Sequence, residues 1–199
     1  MAKKILTSIS LAAALVASPA MAGQSASYLG CADQYVDHGV DPSMCRSPVL
    51  QLQVDTSSDA GKPGAVWVGV DIDDGSSRFL LAQDGTWVSA VNRYEPYLTY
   101  NTLPPRVSFQ LSNGQASYGQ GWSGGAGMNV CAQSGAWRKV DLWIAYGAVQ
   151  PDKMALINGL HAVQNPRISP QSLMWTYAQT DGLQAKKYGV VWTVNCQSN

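Results

Sequence analysis

The chain has 199 residues, with 13 Lys and Arg against 13 Asp and Glu, and four cysteines. This length suits one domain with a real core. The near-neutral balance carries none of the clustered basic charge expected of a nucleic-acid or anionic-membrane binder.

The N-terminus carries export features. Lys3 and Lys4 precede an apolar run, Ile5 to Val16, and Ala20-Met21-Ala22 forms a small-residue cleavage site before Gly23. That order is the pattern of a secretory signal peptide, and the run is too short to cross a bilayer. Residues 1–22 are therefore expected to be removed, leaving residues 23–199 as a single disulfide-stapled β domain in the periplasm or outside the cell, without a membrane span. Losing Lys3 and Lys4 leaves 11 basic against 13 acidic residues, a net charge of −2.

Cys31, Cys45, Cys131 and Cys196 all fall after the cleavage site. An even count in an exported chain implies two disulfides, for which three pairings exist. Cys31 with Cys45 and Cys131 with Cys196 is the favoured pairing, the first closing a short loop around Pro42 and the second tying the last strand to the middle of the fold. The spacing lacks Cys-x-x-Cys and any paired histidine motif, so it does not indicate zinc.

Strand periodicity begins at Leu50, Leu52 and Val54, which alternate with Gln51 and Gln53. Val66, Val68, Val70 and Ile72 form one face of the next strand, with Trp67, Gly69 and Asp71 on the other. Asp71, Asp73, Asp74 and Gly75 lack the spacing and the later glutamate of a calcium loop and are read as a turn. Arg78 to Gln83 and Thr86 to Val91 are predicted to pair as a hairpin, with Asp84-Gly85 in a type I′ turn.

Residues 92–105 are irregular, aromatic and proline-containing, and Val107, Phe109 and Leu111 then resume the alternation. Ser112 to Gly127 is rich in Gly and Ser and is read as a loop. Strand character returns at Met128 to Gln133, at Val140, Leu142, Ile144 and Tyr146, at Ser172 to Thr180, and at Tyr188 to Cys196. One helix interrupts this pattern: Pro151 and Asp152 open it, Met154, Ile157, Leu160 and Val163 recur at helical spacing, and Asn165-Pro166 ends it. The expected fold is mainly β, an antiparallel sandwich or open barrel with one short helix. Its strand, turn and cysteine pattern resembles an immunoglobulin-like exported domain at the level of fold, which supplies no function.

Gly121-Trp122-Ser123-Gly124-Gly125 matches the Gly-x-Ser-x-Gly nucleophile elbow and looks partly like the Gly-Asp-Ser-Gly-Gly segment of trypsin-like proteases. The elbow needs a strand before the serine and a helix after it, whereas this serine lies in a glycine-rich loop. In the protease pattern Trp122 replaces the aspartate. His38 and His161 have no positioned partner in the sequence, so no catalytic residue, metal or cofactor is assigned.

Tyr94, Tyr97, Tyr100, Tyr118 and Trp122 fall in loop-like segments and form the candidate ligand-binding set, because tyrosine and tryptophan combine contact area with a polar tip. Trp67, Trp87, Trp143 and Trp192 are assigned to the core or sheet surface. The function expected is a non-enzymatic recognition or structural module of the cell envelope or extracellular space, binding a protein through loops or a strand edge. A carbohydrate-binding module built on the loop aromatics and a small serine hydrolase built on Ser123 are the alternatives.

Overall fold

The computed structural model describes residues 23–31, 48–73, 75, 77–90, 95–111, 138–162 and 169–196. The elements in order are β1 (Gln24–Cys31), β2 (Pro48–Asp55), a 3-10 turn (Ser57–Asp59), β3 (Gly64–Ile72), β4 (Ser77–Leu81), β5 (Trp87–Ser89), β6 (Leu98–Tyr100) and β7 (Arg106–Leu111). They continue with β8 (Arg138–Ala148), helix α1 (Pro151–Ala162), helix α2 (Pro170–Gln184) and β9 (Tyr188–Cys196). Two antiparallel sheets result: a small one ordered β1-β2-β7, and a large one ordered β5-β4-β3-β8-β9. Strand β6 pairs with the first residues of β3, on the edge that β4 occupies further along.

The period-two pattern explains the sandwich. Leu50, Leu52 and Val54 of β2 and Val107 and Leu111 of β7 point from the small sheet toward Val66, Val68, Val70 and Ile72 of β3. Val140, Leu142, Ile144 and Tyr146 of β8 complete the same core. These side chains are removed from water together, and burial of aliphatic groups of this size stabilises by about 1.5–3 kcal/mol each.

The opposite face of the large sheet is covered as well. Ala65, Trp67, Leu80 and Val149 form a second core with Ile157 of α1 and Ala178 of α2, and Met154, Leu173, Met174 and Tyr177 pack against it. The molecule is thus a sandwich with a helical third layer, and β3 is buried on both faces.

Three expectations require correction. Ser172 to Thr180 is not a strand but the heart of α2. Ser169 caps that helix by accepting a hydrogen bond from the Ser172 amide (3.4 Å), and Pro170 occupies the first turn. The β-branched residues that suggested a strand are accommodated because Thr176 and Thr180 donate their hydroxyls to the carbonyls four residues back, at 2.9 and 2.8 Å. Helices therefore number two among the described residues, not one.

The β4–β5 hairpin forms, with Leu81 opposite Trp87, but its turn is not type I′. Only Gly85 takes a left-handed conformation, at φ +83°. The Gly85 amide bonds to the Ala82 carbonyl at 2.9 Å and the Ala82 amide to the Thr86 carbonyl at 2.8 Å, the pattern of a type I turn followed by a glycine bulge. Asp84 favours this form because its carboxylate accepts from both the amide and the hydroxyl of Thr86, at 2.9 and 2.7 Å. Finally, Leu160 of α1 does not join the apolar inner face but stands exposed.

The acidic cluster does form a turn. Asp73 and Gly75 both have positive φ, and Asp73 docks on β8 by donating its amide to the Lys139 carbonyl (2.8 Å) and accepting from the Lys139 amide (3.2 Å). Among the described residues, no group of three or more His, Cys, Asp or Glu could hold a metal ion. No described helix is long and apolar enough to cross a membrane.

Candidate functional site

Where α2 ends, the third layer stops short of covering the large sheet, and a groove of about 560 Å³ opens between the helix and β9. Its floor comes from β3 and β8 through Trp67, Trp143 and Ala145, and its helical wall from Gln179, Gly182 and Leu183. Tyr188 and Val190 of β9 form the facing wall, and Asp71 and Arg78 supply charge. This volume and this mixture of apolar lining with few polar groups suit a ligand site.

Strand alternation places the floor residues. Trp67 and Asp71 are on the helix-side face of β3, and Trp143 and Ala145 are on the same face of β8, in register opposite Gly69 and Trp67. Gly69 has no side chain, and the Trp143 indole occupies the space where a Cβ would sit. In β9 a bulge follows the Leu142–Trp192 pair. Val191 and Trp192 both pack toward the inter-sheet core, while Tyr188 and Val190 line the groove. Such bulges re-aim side chains where a regular strand would alternate them.

Charge in the groove is fixed in place. Arg78 donates from Nε and Nη2 to the two Asp71 oxygens, at 2.6 Å each, and its guanidinium lies 5.4 Å from the Trp143 ring centroid. Trp143 Nε1 donates to the same Asp71 at 2.9 Å. A bidentate pair stacked on an indole holds the cation in one orientation. Asp71 faces Asp141 across the β3–β8 ladder, a pairing of like charges that is unfavourable by itself. Each carboxylate has its own counter-charge, Asp141 bonding Lys139 Nζ at 2.8 Å and the Thr193 hydroxyl at 2.6 Å.

Behind the helical wall lies a partly buried ionic clamp. Lys187, in the α2–β9 connection, bonds Asp59 at 2.7 Å and Asp181 at 2.6 Å. Lys62 bonds Asp59 at 2.8 Å and Gln150 at 3.0 Å, and Asp181 also accepts from the Ala148 amide and from Gln150 Nε2, at 3.0 Å each. Burial alone would raise the Asp59 carboxyl, but hydrogen bonds and charge from Lys187 and Lys62 outweigh it and hold the group below its ordinary value. Burial likewise opposes the Lys187 ammonium, yet Asp181 and Asp59 outweigh it and raise that group. The clamp fixes Gly182 and Tyr188, which flank its residues and line the groove.

The sequence-based aromatic set is not assembled here. Tyr97 is 7 % exposed in the sandwich core, its ring 5.4 Å from that of Phe109. Tyr100 packs half-buried against the same core, where burial and then Tyr97 raise its hydroxyl above the usual tyrosine range. Tyr94, Tyr118 and Trp122 lie outside the described residues, as do Ser123, His38, Cys45 and Cys131 and the expected strand from Met128 to Gln133. Cys31 and Cys196 end β1 and β9, but their side chains, and so the cysteine pairing, lie outside the described set; the same holds for the side chain of His161 on α1. Sequence reasoning passed over Arg78, Leu183 and Tyr188, and it placed Trp143 with the sheet packing. No protein-family model, no curated protein and no solved structure matches the chain.

Proposed function

We propose that the protein is an exported, non-enzymatic recognition module that takes a segment of a partner protein into the groove between α2 and β9. The observation that carries this reading is the groove's rim. Leu183 is 60 % exposed and Tyr188 is 42 % exposed, and the two flank an aromatic floor large enough for a few side chains. Large apolar side chains left in water around a concave site are the signature of a surface that a partner covers. Arg78 and Asp71, the charged residues of the lining, are bonded to each other. The basic, apolar and small-residue order of residues 1–22 supports a partner in the envelope or outside the cell.

The test is affinity capture from envelope and medium fractions, using the native chain and a Leu183→Asp/Tyr188→Ser variant whose folding is checked by circular dichroism. The expected result is an identified protein partner held by the native chain and lost by the variant. Capture that the variant retains in full, or binding on a glycan array that depends on the same two residues, would overturn the reading.

A further inference from the structure

We propose that the groove reads an acidic and apolar segment of its partner: a large apolar side chain enters between Leu183 and Tyr188, and a nearby Asp or Glu pairs with Lys186 on the rim. This inference rests on the groove being the recognition site and adds what that site selects. Its basis is the way α2 ends. Ala185 caps the helix, the Lys186 amide bonds to the Leu183 carbonyl at 3.2 Å, and the Lys187 amide bonds to the Gly182 carbonyl at 2.8 Å. That pair of bonds is the Schellman ending, in which the residue after the cap turns left-handed and is usually glycine. Here that residue is Lys186, at φ +54°.

A lysine in that conformation costs stability that glycine would not, and residues held this way cluster at ligand-binding positions. Helix stability does not call for it. A cation favours the negative end of a helix, but Gln184 or Ala185 could carry one with ordinary backbone angles. The ionic clamp does not need it either. Asp59 and Asp181 are matched by Lys62 and Lys187, and among the described residues no carboxylate pairs with Lys186, which stands exposed. The surplus positive charge lies in the turn between Leu183 and Tyr188, the two exposed apolar residues of the rim. An apolar rim with one unmatched cation is complemented by an apolar segment with one acid. Two residues of extended chain span about 7 Å, within reach of a lysine side chain, so the acid belongs within two residues of the apolar group. Nucleic acids and anionic membranes are bound by clusters of basic residues, not by one lysine.

Random heptapeptides displayed on phage, selected against the native protein, Lys186→Gly and Leu183→Asp/Tyr188→Ser, test this. The native protein is expected to enrich peptides with Asp or Glu within two residues of a large apolar side chain. Lys186→Gly should keep the apolar preference and lose the acidic one, and the double variant should lose both. A synthetic copy of an enriched peptide should bind Lys186→Gly about threefold to fivefold more weakly at low salt, the range of an exposed ion pair, with the difference closing at about 0.5 M salt. Lys186→Gly should also raise the urea unfolding midpoint by relieving the left-handed lysine, and an unchanged or lower midpoint would overturn the inference that the lysine is kept for binding. Apolar enrichment without an acid, or an acidic preference that Lys186→Gly retains, would overturn Lys186 as the reader while leaving the groove as the site. If no peptide is enriched, this inference fails, and the partner-capture experiment decides separately whether the groove is a site at all.

Discussion

Gly69 and Gly147 both lie under close neighbours, and those neighbours differ in how far they can move. A Cβ on Gly69 would meet the Trp143 indole, a side chain on the floor of an open groove. A Cβ on Gly147 would meet the carbonyl of Ala178, part of the α2 backbone, and then the Gly182 amide at 3.0 Å. Gly147→Ala is therefore expected to destabilise by about 3 kcal/mol or more, since it must push a helix off the sheet, and Gly69→Ala by about 1–2 kcal/mol. Urea unfolding of the two variants checks the order, and a Gly69 variant that is the more damaged would contradict this packing. Neither role was legible in sequence, where Gly69 reads only as a weak strand residue. Trp143 and Asp71 showed their faces through alternation, but nothing local said that β3 and β8 are neighbours, so Trp143 could not be brought to the Asp71–Arg78 pair that β3 and β4 form.

Helix α2 shows where element reading fails. Ser172 to Thr180 holds threonine, tryptophan and tyrosine, residues that favour strands in general, and in the sequence these outweigh the helical i, i+1, i+4, i+5 spacing of Leu173, Met174, Tyr177 and Ala178. What decides the outcome is Pro170 and the Ser169 cap at its start, and the sheet face that Leu173, Met174, Tyr177 and Ala178 cover. The strands with unbroken alternation, β2, β3, β7 and β8, were legible because one of their faces meets the inter-sheet core. Thr176 separates the two readings experimentally. It is exposed, and its hydroxyl competes for a helix carbonyl. Thr176→Ala is expected to stabilise by a few tenths of a kcal/mol in a helix, where alanine is the better former, whereas in a strand the same change would weaken the fold. The shift in urea midpoint, read for its sign, distinguishes them.

At the scale of the whole molecule, the clamp joins segments that are distant in sequence: the turn after β2 through Asp59, the end of α2 through Asp181, and the entry to β9 through Lys187. It ties the helical layer to the sheet beside the groove, and its two shifted groups set a pH window for that attachment. Asp59 titrates below its ordinary 3.8 in the folded protein, so its contribution is present above that pH and is lost as pH falls through the lower folded value. Lys187 titrates above its ordinary 10.5, so its contribution is present below that pH and is lost as pH rises through the higher folded value. The unfolding midpoint is expected to be higher on the plateau between these limits and to fall on both sides. Lys187→Met should lower the plateau by about 2 kcal/mol, less than a fully isolated buried charge would cost because Lys62 still pairs with Asp59. It should also flatten the alkaline fall while leaving part of the acid one. Thermal unfolding of both proteins across the pH range gives the comparison. An alkaline limb unchanged in the variant would show that Lys187 does not set it.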